Sequence, residues 1–143
     1  MRIAISIVLA IVIAVGAYYT GTTIKKNDME KEEIRNLLMS QNQSLTKISD
    51  SIEHKFPQEY IKGLVETFHY NGLHFSYFSN ANGFIQYCLQ ELEKKEWTDL
   101  LAKIKEGLAI TEKIKFNTGA KETEAGLQDW NAFLDQFPSP AAK

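Results

Sequence analysis

An uninterrupted apolar segment from Ile3 to Tyr19 is the feature that most constrains how this chain can fold. The segment reads IAISIVLAIVIAVGAYY, contains no charged residue, and follows Arg2 and the terminal amine. As a helix it would span roughly 25 Å, and residues up to Ile24 would extend it to the ~30 Å hydrocarbon thickness of a bilayer. The segment therefore predicts a transmembrane signal anchor over residues 1–24.

A cleaved signal peptide is the alternative, because Val15, Gly16 and Ala17 stand where a signal peptidase would cut, after Ala17. An uncleaved anchor is favoured because Tyr18 and Tyr19 lie where an aromatic belt meets lipid headgroups. The lysines that follow favour a cytoplasmic body by the positive-inside rule, whereas the signal-like layout favours export. We expect export, which predicts a single-pass protein of the bacterial inner membrane with a periplasmic body.

The charge and the motif content exclude several classes of protein. The chain has 16 basic and 18 acidic residues, so it lacks the basic surface that holds nucleic-acid phosphates. Its single cysteine, Cys88, cannot form an internal disulfide. The nucleophile-elbow, phosphate-loop, paired-cysteine, zinc-protease and haem-attachment motifs are all absent from the sequence. We therefore expect a non-enzymatic protein without a cofactor and without a nucleic-acid partner.

Six residues after the apolar segment repeat with heptad spacing. They are Ile34, Leu38, Gln41, Leu45, Ile48 and Ile52. Such spacing is typical of the partner-facing side of a coiled coil, in which Gln41 would be the polar residue that sets the register. Two interpretations remain open for this membrane-proximal helix over residues 25–56. It binds a partner or a second copy through these six residues, or it packs against its own domain.

Residues 57–137 predict a small, mostly helical extracytoplasmic domain. Pro57 fits the first turn of a helix, and apolar residues then recur at helical spacing along most of this stretch. Pro138 begins a loose, flexible tail over residues 138–143. The predicted fold class is mainly α, with an N-terminal transmembrane helix followed by a small helical bundle.

A mixed α+β fold is the alternative. Asn71-Gly72 is a two-residue hairpin signal as well as a common helix end, and residues 108–116 alternate in a strand-like way. A short hairpin or a two-stranded sheet around residues 66–78 and 108–116 would satisfy both patterns.

The segment Phe68–Phe78 contains the residues that come nearest to a binding site. In the hairpin alternative His69 faces His74, and the two are weak candidates for metal ligands, since zinc needs three or four. No metal site is therefore expected. The aromatic residues of the same segment could line a groove for a lipid or a peptide, although a small core needs most of them. These residues are Phe68, Tyr70, Phe75 and Tyr77.

The stretch AYYTGTTIKKND, which follows the apolar run, resembles the opening of the YdgA-like bacterial envelope family. The resemblance covers about thirty residues, from Arg2 to Glu32, and is specific only at Tyr18 to Gly21. Members of that family are several times longer and rich in strand, so the resemblance implies a location rather than a fold. That location is the inner membrane, with the body outside the cytoplasm.

These observations predict a membrane-anchored, non-enzymatic accessory or assembly protein of the bacterial envelope. It would act through helix-mediated contacts with an envelope partner or with itself. The alternative is a periplasmic ligand-binding or sensing module that uses the aromatic segment 68–78. A lysis-type spanning protein of phage origin is a third hypothesis, which the globular character of the C-terminal half disfavours.

Overall fold

The computed structural model describes residues 2–73, 78 and 81–137, and within them the side chains of residues 15–68, 78 and 81–137. This part of the chain is helical, and no strand occurs in it. Its five helices are α1 (Arg2–Glu53), α2 (Gln58–Leu73), α3 (Ala81–Leu92), α4 (Thr98–Thr111) and α5 (Ala120–Leu134).

Helix α1 is a single element of 52 residues, which corresponds to a length of about 78 Å. The residues after Tyr19 are mostly polar, and the helix runs through them without a break. The threonines of the region are accommodated because their hydroxyls bond backwards within the helix. Thr20 Oγ1 donates to the carbonyl of Gly16 at 2.8 Å, and Thr23 Oγ1 donates to that of Tyr19 at 2.8 Å.

The prediction of a membrane-spanning N-terminal anchor is wrong by the measure of this structure. Within the residues described, no helix combines the length and the apolar character needed to cross a bilayer. The described surface of α1 becomes polar soon after Val15, since threonines and then lysines and carboxylates follow Tyr19 along the same helix. The transmembrane helix of the predicted fold and the predicted single-pass inner-membrane location with a periplasmic body are therefore wrong for the described residues.

The strand alternative is also wrong wherever the structure describes the residues concerned. Helix α2 continues through Asn71-Gly72 to Leu73. In the second predicted strand, residues 108–111 belong to α4, and residues 112–116 are turns and irregular structure. The alternation at residues 108–116 was misleading because the buried stripe of α4 includes a glycine and a threonine. Its members follow helical spacing and are Leu100, Ile104, Gly107 and Thr111.

A Schellman motif ends α1. The amide of Phe56 donates to the carbonyl of Ser51 at 2.9 Å, and the amide of Lys55 donates to that of Ile52 at 3.1 Å. Lys55 has φ 54°, the left-handed conformation that this motif requires after the helix. Pro57 follows and opens α2, so the chain reverses within a few residues and leaves Lys55 and Phe56 on the surface.

The C-terminal half of α1 forms one side of a helical bundle. Helices α1 and α3 each pack against α2, α4 and α5. Phe84 of α3 lies in the middle of an aromatic cluster, with ring centroids 5.7 Å from Phe68, 5.3 Å from Phe133 and 5.0 Å from Phe137. Trp130 of α5 is fully buried and stacks on Phe133 at 5.2 Å. The core therefore joins all five helices through large aromatic and aliphatic side chains.

Gly107 of α4 is a point of close contact with α1 and α5. A Cβ atom at this position would lie 3.2 Å from Leu45, 3.2 Å from Trp130 and 3.3 Å from Phe133. One turn later, Thr111 Oγ1 donates to the Gly107 carbonyl at 3.1 Å and accepts a bond from Asn42 Nδ2 at 3.1 Å. Helix α4 can therefore lie directly against α1, because Gly107 has no side chain and the buried Thr111 hydroxyl has hydrogen-bond partners.

We expect Gly107→Val to destabilise the protein by about 1–3 kcal/mol, because its branched side chain would overlap Leu45 and Trp130 in a packed core. Gly63→Val is the matched control, since a Cβ at Gly63 meets nothing within 4 Å. Both exchanges have the same effect on helix propensity. Urea unfolding followed by circular dichroism measures the difference, and equal stability of the two variants would contradict the packing described here.

Candidate functional site

The six heptad residues lie in the bundle core. Their exposed fractions range from 0% at Leu38 and Leu45 to 8% at Ile34. The helices that cover them belong to the same chain, namely α2, α4 and α5. Of the two interpretations of the heptad pattern, the structure shows packing within the domain, so Ile34, Leu38, Gln41, Leu45, Ile48 and Ile52 are not available to a partner helix in this conformation.

The aromatic and histidine candidates divide between the core and positions that the structure does not describe. Phe68 is 2% exposed and packs edge-on against Phe84, so its ring is part of the core rather than a wall of a groove. His69 and Tyr70 belong to α2, but their side chains lie outside the described part, as do residues His74, Phe75 and Tyr77 altogether. Among the described residues, no group of three or more potential metal ligands occurs.

Cys88 of α3 is a core residue. Its side chain is 1% exposed and belongs to the main hydrophobic cluster. Burial raises the pKa of the thiol far above its ordinary value, and the nearby Glu91 carboxylate adds to the rise. Because the thiolate is the reactive form of cysteine, this side chain has neither the access nor the ionisation that a nucleophile needs.

Cys88 should therefore react with a thiol reagent such as Ellman's reagent only when the protein unfolds. We expect reaction in guanidinium chloride and essentially none under native conditions. An added cysteine at an exposed position of α1, Thr46→Cys, serves as the control and should react at once in the folded protein. Prompt native labelling of the wild type would contradict the burial of Cys88.

The first candidate surface is the arm, defined as residues 15–33 of α1. All its side chains are exposed except that of Lys31, which is half-buried. Large apolar side chains are among the exposed ones, since Tyr18 is 70% exposed, Tyr19 67% and Met29 64%. At 3.6 residues per turn, these three and Val15 fall within an arc of about 100° on the helix. The arm therefore presents a stripe of aromatic and aliphatic side chains that the rest of the described chain does not cover.

A hollow of about 790 Å³ lies beside the C-terminal end of the arm. In the part of the chain that the structure describes, α1 alone lines it, and most of its lining is charged. Met29 and Leu37 supply its apolar surface, and Glu30 and Glu33 supply carboxylates. A hollow with this lining leaves room beside Met29 but does not enclose a small molecule.

The second candidate surface is the Phe56 groove, about 560 Å³ in volume, at the opposite end of the bundle. The Schellman turn after α1 forms one wall, and the start of α4 forms the other. Phe56 is 46% exposed there. The groove is lined by Ile52, Lys55, Phe56, Lys95, Glu96, Trp97, Thr98 and Leu101.

Trp97 holds the second wall of the groove in place. Its indole Nε1 donates to the carbonyls of Leu92 and Lys94, each at 3.1 Å, which ties the end of α3 to the start of α4. The indole ring is thereby fixed, and its apolar face is left half-buried beside Leu101. The groove thus has an aromatic side chain in each wall, and two hydrogen bonds hold the Trp97 indole.

The Phe56 groove is locally basic in a chain whose net charge is −2. Two lysines and one glutamate line it, and neither Lys55 nor Lys95 forms an ion pair within the described residues. Glu53, the carboxylate nearest to Lys55 in sequence, binds Lys105 at 2.6 Å, and Glu91 binds Lys94 at 2.6 Å. Glu96, which lines the groove next to Lys95, forms no ion pair in the described residues. The groove therefore holds two unpaired lysines and one unpaired carboxylate.

The Glu53–Lys105 pair also links the end of α1 to α4. The hydrogen bond from Lys105, and then its charge, lower the pKa of the Glu53 carboxyl. A carboxyl whose folded pKa lies below the unfolded value of about 4.3 stabilises the fold above that value. This contribution disappears as the pH falls through the folded pKa.

Glu53→Gln should accordingly lower the free energy of unfolding slightly at neutral pH, and the difference from wild type should vanish in acid below the folded pKa. Urea unfolding between pH 7 and about pH 3 measures this difference. Glu124→Gln, which changes an exposed carboxylate of α5 that forms no ion pair in the described residues, is the control. A Glu53→Gln effect that does not change with pH would contradict the assignment.

Sequence reasoning missed both surfaces, although each has a signal. Lys55-Phe56-Pro57 reads as a helix boundary, and an apolar residue at such a boundary commonly contacts the helix it follows. Phe56 stays 46% exposed instead, which only the structure shows. The sequence prediction places Tyr18 and Tyr19 in an aromatic belt, but exposed tyrosines on a helix surface are equally typical of a protein interface.

Comparisons of the chain with protein-family models, with curated proteins and with solved structures give no match. The relation of the first thirty residues to the YdgA-like family therefore stays a prediction. Function has to be argued from the two surfaces themselves.

Proposed function

We propose that this protein is a non-enzymatic binding protein that uses the arm to contact another protein chain, while the bundle serves as a folded head. The observation that carries the proposal is the exposure of Tyr18, Tyr19 and Met29 on a helix segment with no covering element among the described residues. Tyrosine and methionine are enriched in protein interfaces, because they supply large contact areas at a small entropic cost.

The composition of the arm supports the same proposal. The segment GAYYTGTTI, residues 16–24, contains two glycines and three threonines, all of which are poor helix formers. Glycine alone costs about 1 kcal/mol relative to alanine in a helix interior. A helix in water obtains most of its stability from packing of an apolar face. An arm without such packing gains its stability when a partner covers the stripe.

The test is photo-crosslinking of the full chain, with benzoylphenylalanine replacing Tyr19 in one variant and Tyr60 in another. Both residues are exposed, and Tyr60 of α2 lies beside Phe56, at the end of the bundle opposite the arm. We expect a covalent adduct with a protein partner, or with a second copy, from position 19 and none from position 60.

Tyr18→Ala together with Met29→Ala should reduce that adduct strongly, since both remove exposed apolar area from the stripe without touching the core. Circular dichroism of the variant shows whether the helix content is retained. Absence of any protein adduct at position 19, or an adduct that persists unchanged in the double variant, would contradict the proposal.

A further inference from the structure

We draw no further inference here: the strongest candidate, the Phe56 groove between the turn that ends α1 and the start of α4, carries nothing, because its unpaired lysines and glutamate select no partner of one charge and nothing in the structure shows what covers it.

Discussion

The close contact of α4 with α1 at Gly107 is the constraint on which the rest of the fold depends. The absence of a side chain there lets Leu45, Trp130 and Phe133 meet around the α4 backbone. Three helices are thereby brought to one point, and Trp130 then extends the contact to the aromatic cluster around Phe84. Once α1 is held in this way from Ile34 to Ile52, both of its ends are placed, the arm at one end and the Phe56 groove at the other.

The spacing of apolar residues was sufficient to identify which residues of α1 are buried, but not what buries them. A heptad pattern requires only an apolar surface opposite the helix, and a partner chain or a neighbouring helix satisfies it equally. The helix around residues 100–111 shows a different limit. Half of its buried stripe consists of Gly107 and Thr111, which are not apolar side chains and so do not show the helical period in the sequence. The apolar residues that remain alternate as in a strand, which explains the wrong strand prediction.

The candidate surfaces were harder to predict because each depends on what the fold leaves uncovered. An aromatic residue in the sequence predicts burial in most cases, and Phe68, Phe84 and Phe133 follow that rule. Phe56 does not, because it lies in the exposed turn that follows the left-handed Lys55, before α2 begins. The unpaired state of Lys55 likewise depends on a tertiary ion pair, since Glu53 binds Lys105 of another helix.

The arm and the bundle are coupled through the cooperativity of helix formation. Starting a helix costs more than extending one, so the packed segment from Ile34 to Ile52 supplies a nucleus from which the arm extends towards its N-terminal end. The extension crosses residues with poor propensity, and each such residue weakens it. Loss of bundle packing at Gly107 would therefore loosen the arm, although the two lie far apart. A partner that covers Tyr18 and Met29 would, by the same linkage, stabilise the bundle, because binding to the folded state alone raises the free energy of unfolding.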